Sequence, residues 1–226
     1  MLPPPRWHSY PKTNHGEIMN LVAQVCRHSV RKLSVVGAVL SVVLLTGCVS
    51  PSYYVDTATK DVPIAEFKKP AQAKDVQLIF DFQTKGAPNA AATNFLKPQV
   101  VEQLQGSGLF AKVDSNPVSG AGILNVVINN IPEADAASKG FKTGLTFGAS
   151  GTTVTDNYLC TITYLPPGDS KGIVKTVQHA LHTSVGNTTP PANATKAESI
   201  EVAVRTMSKQ ILANALKALS LDPVFR

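Results

Sequence analysis

Along residues 75–226 the spacing of apolar positions changes several times, and each change marks an element. Val76-Gln77-Leu78-Ile79-Phe80-Asp81-Phe82 is rich in strand formers, and its apolar content suits a well-buried strand. After the turn-like stretch Lys85-Gly86-Ala87-Pro88-Asn89, Phe95, Val100, Val101 and Leu104 recur at helical spacing, predicting a helix over 90–105 that Pro98 should kink or restart. Gly106-Ser107-Gly108 supplies its stop. Short strands are predicted over 109–113 and 122–131. Residues 152–165 and 173–185 alternate apolar and polar positions around Pro166-Pro167-Gly168-Asp169, the pattern of a hairpin. Residues 187–195 read as a Pro/Asn/Thr loop.

The last segment has a clear helical period. Ile200, Val204, Met207, Ile211, Leu212, Ala215, Leu216 and Leu219 return every three or four residues, with Glu198, Glu201, Arg205, Lys209 and Lys217 mostly on other faces. Acid at its start and base near its end suit the helix dipole. Strand, helix, several mostly antiparallel strands and a long helix pack most economically as a two-layer α+β sandwich, with both helices on one face of a mostly antiparallel sheet. Residues 49–74, with Pro51, Pro63 and Pro70 and no sustained period, have the composition of an extended tether, in which Tyr53-Tyr54-Val55 is read as solvated linker, a short strand or an adhesive patch being the alternatives. The expected organisation is therefore a signal segment 1–47, a tether 48–74 and a single domain 75–226.

Composition alters this picture through the placement of charge. The chain of 226 residues carries a net charge of +6, but Arg6, Lys12, Arg27, Arg31, Lys32 and Glu17 precede Cys48, leaving 16 basic against 14 acidic residues after it. The basicity belongs to a targeting segment, so no nucleic-acid partner is expected. Hydrophobic residues at 43% and charged residues at 16% provide enough apolar mass for a core. Of the three cysteines, Cys26 falls in the segment to be removed, and Cys48 and Cys160 make neither a disulfide framework nor a zinc cluster. Cys160 is expected to be a small buried hydrophobe.

Arg27 to Lys32 form a basic stretch, Leu33 to Leu45 an apolar run, and Thr46-Gly47-Cys48 a small-residue cleavage site. The run is shorter than the roughly 20 residues that a spanning helix needs. Met19 gives a more usual signal length and is read as the translation start, an extended n-region being the alternative.

Leu45-Thr46-Gly47-Cys48 resembles the lipobox of bacterial lipoproteins, in which the cysteine thiol receives a diacylglyceryl group and the chain is cut before it. The resemblance implies lipidation of Cys48 and a membrane anchor, each buried methylene contributing about 0.8 kcal/mol. Val49, where an inner-membrane protein would carry Asp, implies sorting to the outer membrane, with the domain facing the periplasm. Architecturally, the lipobox, tether and β-α-β-β-β-β-α domain over about residues 45–220 resemble small periplasm-facing lipoproteins of Gram-negative bacteria.

Four constellations invite chemistry. His179 and His182 lie three apart on a predicted strand and so point to opposite faces, which excludes a shared metal ion without a bulge. Ser150, in Gly148-Ala149-Ser150-Gly151-Thr152, lacks the last glycine of a nucleophile elbow. Gly106-Ser107-Gly108 ends a helix and opens a strand, the reverse of a dinucleotide-binding context. Gly140, Gly144 and Gly148 space a glycine-rich crossing whose Phe141, Leu145 and Phe147 form the candidate interaction flap. With neither a catalytic set nor a cofactor or metal motif, the expectation is a non-catalytic envelope lipoprotein that binds a protein or lipid partner. The alternatives are a peptidoglycan- or lipid-processing hydrolase using Ser150, His179 or His182, and a purely structural envelope lipoprotein.

Overall fold

Strands with one strongly apolar face require cover on that face, and the two helices provide it. The computed structural model describes residues 50–133 and 151–225. Its elements are β1 (Ser52–Asp56), a short 3-10 turn (Ile64–Glu66), β2 (Lys74–Thr84), β3 (Ala87–Pro88), α1 (Ala90–Gly106), β4 (Phe110–Asp114), β5 (Gly122–Pro132), β6 (Thr152–Leu165), β7 (Ile173–Val185), β8 (Ala194–Ala197) and α2 (Ile200–Ser220). Among the described residues they form an α+β sandwich of one eight-stranded sheet and two helices. The sheet order is β3-β2-β5-β6-β7-β1-β8, with β4 also on β2. β2 runs parallel to β4 and β5, and the other pairings are antiparallel.

Period-two burial defines the covered face. Val76, Leu78, Phe80 and Phe82 of β2, Leu124, Val126 and Ile128 of β5, and Tyr158, Cys160, Ile162 and Tyr164 of β6 are buried in one cluster with both helices. α2 contributes Met207, Ile211, Leu212, Leu216 and Leu219, each fully buried. Its start is fixed by Ser199, whose Oγ accepts the Val202 N–H at 3.2 Å. Asn89 does the same for α1, its Oδ1 accepting the Ala92 N–H at 3.1 Å. The helices are clasped side by side: Gln99 Nε2 donates to the Arg205 carbonyl at 2.9 Å and Gln103 Nε2 to the Lys209 carbonyl at 2.8 Å. The Arg205 guanidinium lies 4.1 Å from the centre of the Phe95 ring.

Several expectations need correction. Residues 49–74 do not form an extended tether throughout. Tyr53-Tyr54-Val55 sit in β1, between β7 and β8, and Phe67 is part of the core. From Thr57 onward the chain straps across α2: Asn214 Nδ2 donates to the Lys60 carbonyl at 2.8 Å, Lys217 pairs with Glu66, and the Lys68 N–H donates to Ser220 Oγ at 3.2 Å. The prolines fit a strap because it needs few backbone partners of its own.

α1 runs without interruption through Pro98, which is exposed, so water can satisfy the carbonyl left without its helical donor. Its buried stripe is Leu96, Val100 and Leu104, whereas Phe95 faces outward beneath Arg205. β2 is buried on one face only, since Ile79 is 45% exposed. The predicted loop over 187–195 gives way at its end to β8, which pairs with β1.

Candidate functional site

The two histidines of β7 point to opposite faces of the sheet, as their spacing requires, and each is tied to a different set of partners. His179 lies on the helix-covered face and is buried. Its Nδ1 accepts the Ala180 N–H at 2.8 Å, which leaves Nε2 as the protonated nitrogen that donates to Gln210 Oε1 at 2.8 Å. Gln210 reaches on through its Nε2 to Asp61 Oδ2 on the strap, at 3.4 Å. Burial holds the imidazole below the usual histidine range, opposed by Gln210 and Asp56. His182 lies on the open face, with Nδ1 3.0 Å from Thr155 Oγ1 and Nε2 3.6 Å from Asp56 Oδ2.

Gln210, Asp61 and Asp56, though neither histidine, border a cleft of about 480 Å³ between β1, β8 and α2, lined also by Lys60, Lys196 and Thr206 over an apolar floor that includes Val55. It has the size and polar lining to hold a small polar ligand. Acid–base work is another matter, since the His179 nitrogens are both occupied and its ring is held neutral. Among the described residues no group of three or more His, Cys, Asp or Glu could hold a metal ion. Asp156, on the covered face ahead of Tyr158, has its carboxyl held above the ordinary range by burial and then by Glu133.

Cys160 is fully buried and its thiol is pushed up to about 12 by burial alone, as expected of a small core hydrophobe. Gly106-Ser107-Gly108 is the turn from α1 into β4. Ser107 Oγ donates to the Leu104 carbonyl at 2.6 Å, and Gly108 takes the left-handed conformation, φ +69°, that suits glycine. Cys48, the other lipobox residues Leu45, Thr46 and Gly47, the flap residues Phe141, Leu145 and Phe147, and Ser150 all lie outside the described residues.

The surface that the sequence did not reveal is the open face of the sheet. Ile79, Ile123, Ile131 and Val174 are 36–57% exposed there, set among Asn125, Asn129, Thr161, Thr163, Thr176 and Gln178. Sequence gave no signal for it, because an isoleucine facing solvent and one facing the core look the same in a strand that alternates imperfectly. Asp61 and Gln210, the partners that tie down His179, were missed for a different reason: they are 149 positions apart. No helix among the described residues is long and apolar enough to cross a membrane.

No protein-family profile matches the chain, and no curated protein matches it. Among solved structures, it is similar to the dodecamer of a PelC variant from Paraburkholderia phytofirmans, at 12% identity and a TM-score of 0.30, over 74% of this chain and 98% of that one. A likeness at that score carries nothing about assembly or activity.

Proposed function

We propose that the protein is a lipid-anchored, non-catalytic binding or assembly component of the Gram-negative cell envelope, held at the outer membrane and facing the periplasm. The observation that carries this reading is Leu45-Thr46-Gly47-Cys48 at the end of a basic stretch and a short apolar run. The open sheet face supports it. Its exposed isoleucines and Val174 among amides and hydroxyls can bury area against a partner without desolvating many charges. The engagement of His179 and the burial of Cys160 also support a binding role over a catalytic one.

The reading is tested in living cells with a photo-crosslinking residue at Val174 or Ile131. A discrete adduct is expected from at least one position, and Cys48→Ser should abolish it by preventing acylation and so delivery to the outer membrane. Absence of an adduct at both positions, or an adduct indifferent to Cys48→Ser, would overturn the proposal.

A further inference from the structure

With β1 beginning at Ser52, only residues 49–51 separate Cys48 from the first paired position of the sheet. At roughly 3.3–3.6 Å per residue, the Cys48 and Ser52 Cα atoms can be no more than about 14 Å apart. Each headgroup layer of a bilayer is about 5–8 Å thick. A domain acylated at Cys48 therefore has no slack to stand off from the membrane or to turn freely over it. The end of the sheet where β1 begins must meet the headgroups.

Among the described residues, hydroxyl groups cluster at that end. Ser52 pairs with Ser184, which pairs with Thr153, so β1, β6 and β7 share this corner. Thr153 Oγ1 lies 2.9 Å from Ser184 Oγ and 3.4 Å from Thr188 Oγ1. Gly151 is pressed against the Asn187 and Thr188 backbone so closely that any side chain there would collide with it, which fixes the loop after β7 to the start of β6. Residues 49–55, 151–155 and 183–189 contain no Asp, Glu, Lys, Arg or His, although 16% of the chain is charged. Charged and titratable residues border it: the Glu133 N–H donates to the Thr155 carbonyl at 3.3 Å, His182 Nδ1 lies 3.0 Å from Thr155 Oγ1, and Lys196 pairs with Tyr54. Hydroxyls and amides can exchange water for headgroup phosphate and carbonyl oxygens at little cost, whereas ion pairs cannot be dehydrated so cheaply.

We infer that this hydroxyl-rich corner, built from the start of β1, the start of β6 and the loop after β7, is a membrane-docking surface that rests on phospholipid headgroups and fixes the orientation of the domain. The inference rests on acylation of Cys48. It places the opposite end of the sheet, where Leu165, Ile123, Gln77 and Asp114 form one row, farthest into the aqueous space. The 14 residues of β6, from Thr152 to Leu165, put the two ends about 43 Å apart at roughly 3.3 Å per residue.

The sole tryptophan, Trp7, precedes Cys48, so the processed chain has none and an introduced one reports a single place. The test uses acylated full-length chain purified from cells, bearing Asn187→Trp at the corner or Lys112→Trp on β4, where both native side chains are exposed. Each is reconstituted in vesicles of phosphatidylethanolamine and phosphatidylglycerol with nitroxide on a fraction of the ethanolamine headgroups. Fluorescence at 187 is expected to be quenched several-fold more strongly than at 112. A Gly/Ser spacer of about 20 residues between Ser50 and Pro51, reaching roughly 25 Å, should remove the difference. Equal quenching at the two positions, or a difference that survives the spacer, would overturn the proposal, provided that the protein's mass shows the acyl chains. A mass without them would sink the reading of Cys48 instead.

Discussion

Burial sets the chemistry of individual side chains in this domain more than charge does. Cys160 has 0% exposure, and burial alone pushes its thiol up to about 12. Since the folded value lies above the ordinary thiol value of 9.0, this group's contribution to stability is intact below about pH 9 and is lost as pH rises toward 12. In a chain beginning at Ser50 it is the single thiol. At pH 8 it should resist a thiol-reactive dye in the native state and react fully in urea; stoichiometric labelling of native protein would contradict this. His179 has the opposite sign. Its folded value is depressed from 6.5, so stability is full above about pH 6.5 and falls as the pH drops toward the folded value. Urea midpoints across that window should fall with acid, and His179→Gln, which carries no charge, should flatten the slope. An unchanged slope in the variant would assign the titration to another group.

At the scale of elements, the least expected one is β1. Sitting between β7 and β8, it supplies Val55 to the core, and the strap that follows adds Phe67. Without it, among the described residues, β8 loses its partner strand and β7 the strand that pairs with Leu181, His182, Thr183 and Ser184. A chain beginning at Asp75 should therefore lose cooperative unfolding, since omission of two buried side chains of this kind costs several kcal/mol, at about 1.5–3 each, even before the lost pairing. Circular dichroism melts of that chain against one beginning at Ser50 provide the measurement, and a cooperative melt at the same temperature would contradict the role of β1. α2 and the β6–β7 hairpin were legible in the sequence, because each has a long, regular apolar period and clear end signals. α1 was legible as a helix but not in its facing. Leu96 and Phe95 are equivalent in a periodicity count, and only the Arg205 guanidinium over the Phe95 ring and the core behind Leu96 distinguish them.

For the whole molecule, the position of β1 converts a flexible leash into a short leader, with consequences for how an acylated domain would meet its membrane. The amino-acid sequence alone was sufficient for the α+β class, the helix-covered face, the separation of His179 from His182, the burial of Cys160 and the lipobox resemblance. All of these depend on periods, spacings or motifs only a few residues long, which act locally and survive in a one-dimensional reading. Tertiary structure alone decided that β2 lies parallel to β5 and β4, that β1 crosses more than 100 positions to pair with β7, that Gln210 and Asp61 tie down His179, and that the hydroxyls of Thr153, Ser184 and Thr188 meet at the corner near Ser52. Those outcomes depend on which surfaces bury one another once the chain has closed long loops, a matter of packing between distant segments that local periodicity does not encode.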